Sequence, residues 1–236
     1  MKILAIESSG MTASVAVMQE DRLIGVYSVN NKKTHSQTLL PMIDEIVKKT
    51  QTDINNLDAI AVSAGPGSFT GLRIGSATAK GLGLALDKPI VTVPTLEAMA
   101  YNYAGSDKVI CPMMDARRQR AYTGIYDFQN GRINALWDQT VEPINVIADK
   151  INEIGKSVVF LGDGADVYKS YLIDNIKVDY QFAPLHMTQQ SAASVAFLGM
   201  EMLKEGKAES AASHKPIYLR PSQAEAQKMK SENQEP

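Results

Sequence analysis

Two short segments rich in glycine, serine and threonine have residue types suited to binding a phosphate. Glu7-Ser8-Ser9-Gly10-Met11-Thr12 lies between the first two predicted strands, where backbone N–H groups and hydroxyls can face an anion. Taken alone, a plain hairpin turn is the favoured interpretation of this segment. Residues 65–73 (GPGSFTGLR) follow a predicted strand and open a predicted helix, whose free N–H groups can also face an anion. No lysine stands where a Gly-Lys-Ser/Thr phosphate loop needs it.

Two segments in the second half of the chain have a similar character. Asp115-Ala116-Arg117-Arg118-Gln119-Arg120 has three arginines within four positions, which can hold a phosphate or the carboxylates of a partner. Gly162-Asp163-Gly164 lies between a predicted strand and a predicted helix and can approach a nucleotide closely. A solvated turn and a tight turn, respectively, are the commoner interpretations. A nucleotide-dependent kinase or ATPase would need these segments and the Glu7 segment to line one cleft.

The histidine, cysteine and serine positions do not predict a metal site or a nucleophile. His35, His186 and His214 are far apart, and the chain has no Cys-x-x-Cys or His-x-x-x-His spacing. Cys111 lies in a predicted strand and is interpreted as a small buried apolar residue. Ser68 is outside any Gly-x-Ser-x-Gly elbow, so the spacing gives peptidase chemistry no support.

Composition limits the class of protein. The chain has 236 residues and one cysteine, so it cannot form an internal disulfide and fits a reducing cytosol. Its apolar runs fall short of the roughly 18 residues of a membrane span, so we expect no membrane insertion. The formal charge of −2 argues against a large autonomous nucleic-acid surface, because phosphate binding needs clustered cations.

The elements that must position these segments occur in one order used twice. Strands are predicted at 2–6, 12–19, 22–29, 57–63 and 89–93, and helices at 36–50, 68–86 and 95–104, the last with Thr95 as its N-cap. In the second half, strands are predicted at 108–114, 120–127, 132–140, 157–162 and 176–182, and helices at 143–154, 165–173 and 190–205. This order predicts an α/β fold of two similar lobes, with mixed sheets covered by helices. The predicted domains are 1–104, 105–215 and a C-terminal segment, 216–236, whose polar tail begins at about residue 226.

One face of the helix predicted at 68–86 carries almost no side chains. This stripe consists of Gly71, Gly75, Ala79 and Gly83, which are four residues apart. Each glycine costs about 1 kcal/mol against alanine inside a helix, and close approach of another element can offset that cost. The stripe packs either on the chain's own sheet or on a helix of another chain, and the spacing does not choose between them.

Six motifs spread over nearly the whole chain are informative in combination. They are ILAIESS near the N-terminus, HSQTLLP at 35–41, GPGSFTGLRIG at 65–75, PTLEAMA at 94–100, DARRQRAY at 115–122 and PIYLRPSQAE at 216–225. Together they resemble the TsaB (YeaZ) family, the bacterial accessory subunits of the tRNA threonylcarbamoyladenosine machinery. The resemblance implies the actin-like ATPase (ribonuclease H-like) fold, in which a nucleotide binds between two lobes. The sequence departs from the family's more frequent residues at Glu7 and Gln37.

The resemblance implies a cytoplasmic accessory subunit without catalytic residues or a metal site. Such a subunit pairs with the catalytic paralogue TsaD, recruits the ATPase TsaE, contacts tRNA indirectly through the complex and forms a homodimer when alone. The implied partner and dimer interface comprises His35, Ser36, Gln37, Leu39, Leu40, Ile43, Phe69, Thr70, Gly71, Arg73, Gly75, Ala79 and Gly83. The implied vestigial nucleotide cleft comprises Glu7, Ser8, Ser9, Asp115, Arg117, Arg118, Gly162 and Gly164. We expect no cofactor beyond weak nucleotide binding.

Two alternatives stand beside this interpretation. The first is a nucleotide-dependent kinase or ATPase of the actin-like fold that uses the same cleft. The second is direct tRNA contact through the basic residues of two loops, which the net charge of −2 makes auxiliary. These basic residues are Arg117, Arg118, Arg120, Lys32 and Lys33.

Overall fold

The first half of the chain forms a mixed sheet of five strands. The strands are β1 (Lys2–Glu7), β2 (Ala13–Gln19), β3 (Arg22–Val29), β4 (Ala59–Gly65) and β5 (Ile90–Pro94). Their order across the sheet is β3-β2-β1-β4-β5, with β1 antiparallel to β2 and parallel to β4. The helices of this half are α1 (His35–Lys49), α2 (Phe69–Leu86) and α3 (Thr95–Ala100), and short 3₁₀ turns lie at Ile54–Asn56 and Tyr101–Tyr103.

The second half repeats this topology. Its strands are β6 (Val109–Asp115), β7 (Arg120–Gln129), β8 (Arg132–Pro143), β9 (Val158–Leu161) and β10 (Tyr180–Phe182), in the order β10-β9-β6-β7-β8. The helices are α4 (Ile144–Ile154), α5 (Asp163–Val167), α6 (Lys169–Asn175) and α7 (Ala192–Lys204), and a 3₁₀ turn lies at Leu185–Met187. The strand β6 is antiparallel to β7 and parallel to β9, as β1 is to β2 and β4. The repeated order read from the sequence is confirmed.

The computed structural model describes residues 1–31 and 33–220. Lys32, the last five residues of the PIYLRPSQAE motif and the predicted polar tail lie outside the described residues.

Both faces of the first sheet are covered because its central strand β1 is apolar on both faces. Leu4 and Ile6 pack in one core with residues of α1 and α2. Ile3 and Ala5 pack in a second core with residues of α7. A strand that is buried on both sides has a continuous apolar run in its sequence, as residues 3–6 do.

The helix α7 crosses from the second half of the chain back to the first sheet. It contacts β1, β2, β4 and β5, and a Cβ at Gly199 would lie 2.7 Å from the Ala61 Cβ. The predicted domains 1–104 and 105–215 each hold one sheet, whereas α7 lies in the second segment and covers the sheet of the first. One of the two faces of the first sheet is therefore covered by a helix that is distant in sequence.

Several predicted boundaries are wrong. The helix predicted at 165–173 is two helices, because Tyr168 turns out of helical geometry between α5 and α6. Thr95 is not an N-cap but the first residue of α3, and its hydroxyl accepts a hydrogen bond from the Gly65 N–H at 3.2 Å. The strand predicted at 176–182 is confined to Tyr180–Phe182.

Residues 208–220, which we call the C-terminal strap, run back along the first sheet. Ile90 on the edge strand β5 and Glu209 exchange two backbone hydrogen bonds of 2.9 Å. Farther along, the Ile217 N–H donates to the Ala64 carbonyl at 2.7 Å. The strap therefore covers one edge of the first sheet, passes the start of α2 at Tyr218 and reaches Ala116 of the second half with Arg220.

Candidate functional site

The Glu7–Thr12 turn is packed tightly against the start of α2. The Ser8 hydroxyl donates to the Gly71 carbonyl at 2.9 Å, and the Ser68 N–H donates to the Ser9 carbonyl at 2.7 Å. A Cβ at Gly71 would overlap the Ser8 carbonyl oxygen, so only glycine lets the helix approach this closely. The turn thus forms a packing surface for α2.

Glu7 lies in the interior beneath this turn, with 1% of its surface exposed. Burial raises the pKa of Glu7, because the carboxylate loses its water, while hydrogen bonds from Ser9 and the nearby His35 oppose the rise. Its Oε1 accepts from the Ser9 N–H at 2.6 Å. The His35 Nε2 lies 2.8 Å from the Gly10 carbonyl oxygen, which ties the start of α1 to the same turn.

The small-residue stripe of α2 packs within the chain. A Cβ at Gly75 would overlap the Ser8 hydroxyl oxygen, and a Cβ at Gly83 would lie 2.8 Å from the Ala211 Cβ of the strap. Ala79 is fully buried in the core beneath α1 and α2. Of the two alternatives for the stripe, the structure has packing on the chain's own elements.

The interface predicted from the resemblance therefore needs a correction. Leu39 and Ile43 are buried in the same core as Ala79, so they face inward from α1. A residue that is enclosed by its own chain cannot contact a partner without local opening. The predicted interface residues that lie inside the chain are Leu39, Ile43, Gly71, Gly75, Ala79 and Gly83.

The outward sides of α1 and α2, which contact each other, are exposed. We call this surface the α1/α2 face; it consists of Ser36, Gln37, Leu40, Thr70, Arg73, Ala77, Gly81 and Leu84. Leu40 is 55% exposed and Leu84 is 63% exposed. A Cβ at Gly81 would have no neighbour within 4 Å in the described part of the chain, so internal packing does not require glycine there.

Tyr218 of the strap extends this face. Its ring stacks on Phe69, the half-buried first residue of α2, with centroids 4.9 Å apart and planes at 14°. Its hydroxyl accepts a hydrogen bond from the Arg73 Nε at 3.3 Å. Tyr218 is 41% exposed, so one aromatic residue packs on the start of α2 and also reaches the surface.

The glycines of the second half are required by packing. Gly162 has a φ of 94°, and a Cβ there would overlap the Met113 carbonyl oxygen. A Cβ at Gly164 would lie 2.9 Å from backbone carbons of Met113 and Met114. Both glycines let the start of α5 approach β6 closely.

The predicted cleft residues lie in two groups. Glu7, with Ser8 and Ser9, belongs to the turn that contacts α2 and β4. Asp115 belongs to the second group, since its N–H donates to the Asp163 Oδ2 at 3.4 Å and its Oδ1 accepts from the Tyr168 hydroxyl at 2.9 Å. A nucleotide cleft that joins the two groups stays a prediction.

A cavity of about 450 Å³ lies beside the first turn, where β2 and β3 meet the start of α7. Hydroxyl and amide side chains dominate its lining, and two pairs are joined by hydrogen bonds. Thr12 donates to the Gln189 Oε1 at 3.1 Å, and Ser194 donates to the Asn102 Oδ1 at 2.7 Å. None of the eight predicted cleft residues lines this cavity.

The structure also shows the surroundings of the side chains that were considered for nucleophilic or metal chemistry. Cys111 is fully buried, and burial raises the pKa of its thiol to about 12, so it is protonated at neutral pH. Its interpretation as a buried apolar residue is confirmed. Within residues 1–31 and 33–220, no group of three or more His, Cys, Asp and Glu side chains could hold a metal ion. No helix in these ranges is long and apolar enough to cross a membrane.

Comparison with known proteins adds the family to this geometry. A family model described as TsaD, tRNA N6-adenosine threonylcarbamoyltransferase, matches residues 12–228. The tRNA threonylcarbamoyladenosine biosynthesis protein TsaB of Bacillus subtilis is 34% identical over 236 residues, which cover 98% of this chain and 100% of that protein. The chain belongs to the TsaB family. The resemblance carried by the six motifs is confirmed.

Solved structures place this TsaB-family chain in a wider fold. YeaZ from Pseudomonas aeruginosa is 26% identical, with a TM-score of 0.78 over 92% of this chain and 99% of that chain. ROK hexokinase from Thermus thermophilus has a TM-score of 0.50 at 12% identity, over 85% of this chain and 99% of that chain, which shows likeness of fold alone. The predicted fold class, two lobes of the actin-like and sugar-kinase type, is confirmed.

Sequence reasoning missed four residues of the exposed surface of this TsaB-family chain. They are Ala77, Gly81, Leu84 and Tyr218. The three of these residues that lie on α2 continue the helical spacing of Thr70 and Arg73. The sequence therefore contained the pattern of a second stripe, on a different side of α2 from the glycine stripe. Tyr218 lies in the PIYLRPSQAE motif, which was used for the resemblance but given no role.

Proposed function

We propose that this chain is the accessory subunit of a complex that transfers a threonylcarbamoyl group from threonylcarbamoyl-adenylate to N6 of the adenosine beside the tRNA anticodon. It docks onto the catalytic paralogue TsaD in the cytoplasm, with the ATPase TsaE as third component, and carries no catalytic residue itself. Membership of the TsaB family supports a role in forming threonylcarbamoyladenosine in tRNA. One observation carries the docking part: the α1/α2 face presents apolar side chains and an outward glycine.

The apolar part of the α1/α2 face favours a protein partner. Leu40 and Leu84 are each more than half exposed. Fully burying a leucine stabilises by about 1.5–3 kcal/mol, so covering both would contribute substantially to association.

The outward glycine favours a partner that approaches closely. Gly81 lies inside a helix, where glycine costs about 1 kcal/mol against alanine. Its own chain gains nothing from the missing side chain, because no described atom lies near the position of a Cβ. A partner helix that packs against the α2 backbone would offset this cost.

The non-catalytic part of the proposal is supported by how the candidate reactive groups are engaged. The Ser8 hydroxyl is buried and donates to a carbonyl of α2. Glu7 is enclosed and its Oε1 is bonded to the Ser9 N–H, while the Cys111 thiol is buried and protonated. Each of these groups is enclosed by its own chain, whereas a catalytic role would require access to a substrate.

The homodimer expected for the chain alone would use the same α1/α2 face. A two-fold dimer brings the same patch of both copies together, so an exposed apolar patch can serve both assemblies. TsaD and a second copy of this chain would then compete for one surface.

The decisive experiment is tRNA threonylcarbamoylation with TsaD, TsaE and the adenylate donor, with and without this chain. We expect modification to require the chain, and the chain alone to transfer nothing. Equal modification without the chain would contradict the accessory role.

A matched pair of variants tests the docking face. Leu84→Arg places a charge in the apolar part of the face and should weaken TsaD binding by at least about tenfold, because an unpaired buried charge is unfavourable. Ile173→Arg makes the same change on α6, where the side chain is 46% exposed, and should leave binding unchanged. Both variants should keep their stability within about 0.5 kcal/mol, because the sites are exposed. Unchanged pairing of Leu84→Arg, measured by calorimetry, would remove the α1/α2 face from the proposal.

The kinase or ATPase alternative is tested separately. Titration of the chain with Mg·ATP in a calorimeter should give no strong binding under the accessory proposal. Tight binding together with nucleotide turnover would favour the alternative and redirect attention to Glu7, Asp115 and Gly162.

A further inference from the structure

The turn between β6 and β7 has a backbone conformation that its residues disfavour. Arg117, Arg118 and Gln119 have φ values of 61°, 55° and 57°, so three successive residues with side chains are left-handed. This conformation costs roughly 1–2 kcal/mol for each such residue. Strain of this kind persists only where the surroundings hold it, and it is concentrated at functional sites.

Hydrogen bonds on both flanks hold the turn in this shape. The Asp115 Oδ1 accepts from the Arg117 N–H at 2.8 Å, and the Arg120 N–H donates to the Arg117 carbonyl at 3.2 Å. The N–H of Ile144, the first residue of α4, donates to the Gln119 carbonyl at 3.0 Å. The backbone of the turn is therefore fixed to β6 on one side and to α4 on the other.

Four arginines from two distant segments lie at this turn. Arg117 and Arg118 are exposed, and neither forms an ion pair with a carboxylate of the described residues. Arg120 donates from Nη2 to a carbonyl of β8 at 3.0 Å, and Arg220 of the strap donates from Nη1 to the Ala116 carbonyl at 2.9 Å. Two guanidinium groups are thus held against the backbone while two remain open to solvent.

The neighbouring carboxylate does not neutralise the exposed pair. Asp115 is half-buried and directs its Oδ1 to the Arg117 N–H and to the Tyr168 hydroxyl. Its bonds lie along the base of the turn, whereas residues 117–119 are exposed. The outer surface of the turn carries positive charge on a backbone that hydrogen bonds hold in place.

We propose that Arg117 and Arg118 bind phosphodiester oxygens of the RNA that the complex modifies. This inference rests on the proposed function, because a tRNA-modifying complex supplies that RNA. A guanidinium group stays charged and its planar set of N–H donors matches a phosphate. A free nucleotide fits less well, since close backbone approach to its phosphates needs glycine and this turn has none.

The expected contact is small and acts by positioning. The chain carries a net charge of −2, so it does not attract nucleic acid over a large surface. A rigid turn loses little freedom on binding, so two arginines there can fix the register of an RNA held mainly by other subunits.

The test compares tRNA binding by the complete complex containing the native chain, the Arg117→Gln/Arg118→Gln variant or a charge-matched control. The control is Lys204→Gln/Lys207→Gln, which removes two exposed lysines at and beyond the end of α7. Affinity is measured between about 50 and 200 mM KCl, where phosphate contacts show as a salt-dependent slope. We expect the arginine variant to bind tRNA about tenfold more weakly at the lowest salt concentration. The slope of log affinity against log salt concentration should become shallower by about two. The control should match the native complex.

A charge-conserving variant gives a second test of the phosphate contact. Arg117→Lys/Arg118→Lys should retain most of the salt slope, since lysine also binds phosphate as a point charge. Loss of the slope in this variant as well would contradict phosphate binding.

Two outcomes would overturn the inference. One is an affinity and slope of Arg117→Gln/Arg118→Gln equal to those of the native complex. The other is weaker assembly with TsaD but unchanged tRNA binding once assembled, which would assign the arginines to an acidic protein segment. Failure of the docking proposal is distinguishable, because Leu84→Arg is assayed for TsaD pairing without tRNA.

Discussion

The turn after β1 and the turn after β6 occupy equivalent places in the two sheets, yet the chain uses them in opposite ways. In the first turn, Ser8 and Ser9 are fully buried and are hydrogen-bonded to the start of α2. The second turn is exposed at residues 117–119 and strained in its backbone. A repeated topology therefore fixes where a turn lies but not whether it faces inward or outward.

The helix next to each turn decides whether that turn faces the interior or the solvent. In the first half, α2 has 18 residues, and its Gly71 and Gly75 lie against Ser8, so this part of the turn is covered. In the second half, α5 has only five residues, and Gly164 within it and Gly162 just before it pack on Met113 of β6. No helix among the described residues of the second half covers residues 117–119, which leaves the arginines in solvent.

The largest expected effect breaks the packing of the first turn. Gly71→Ala places a Cβ on the Ser8 carbonyl oxygen, which cannot move away like a flexible side chain. We expect the free energy of unfolding to fall by about 3 kcal/mol in denaturant titration, as for other overpacked cores.

The matched control for this substitution lies on the same helix. Gly81→Ala adds the same methyl group where no described atom is within 4 Å, and should raise the free energy of unfolding by about 1 kcal/mol. Similar effects of the two substitutions would show that the stripe does not lie on the turn.

A middle-sized effect concerns the buried carboxyl of the first turn. Burial raises the pKa of Glu7 above its ordinary value of 4.5, so the folded state binds the proton more tightly than the unfolded state. Stability contributed by this proton is complete below pH 4.5 and is lost as the pH rises through the raised value. Glu7→Gln should therefore gain stability over the native chain as pH rises, by about 1.4 kcal/mol per pH unit within that window.

The measurement is chemical denaturation of both proteins from acid to neutral pH. A stability difference that does not change with pH would mean that the Glu7 carboxyl titrates alike in the folded and unfolded states.

The smallest effect relieves strain in the second turn. Gln119→Gly keeps both exposed arginines and replaces a residue with a φ of 57° by the one that adopts this angle freely. The gain from relieved strain exceeds the entropy that glycine adds to the unfolded chain, so we expect up to about 1 kcal/mol of added stability in denaturant titration. A loss of stability would show that the left-handed backbone is not strained.

The fold followed from the sequence where the signal was local. The apolar run of β1, the periodicity of α1 and the Gly-Pro-Gly turn before α2 each predict one element, and all three are present. The break at Tyr168 was not predicted, because it depends on hydrogen bonds from its hydroxyl to Asp115 and to a distant carbonyl.

The candidate site was predictable in composition but not in orientation. The four-residue spacing showed that Gly71 and Gly75 share a face of α2. Helical spacing does not indicate whether that face packs on the chain's own elements or on another chain. Gly81 lies farther along the same helix. Its outward direction was not predicted, because it follows from the contact between Gly75 and Ser8, which fixes the inward side of α2.

The crossing of α7 and the path of the strap have a consequence for synthesis. As the chain leaves the ribosome, β1 to β5 emerge long before the elements that cover one face and one edge of their sheet. Ile3 and Ala5 stay without their α7 partners, and Ile90 without Glu209, until nearly the whole chain has been made. A nascent chain or a truncated product that stops after the first 104 residues would present an uncovered apolar sheet, the state in which chaperones and proteases act.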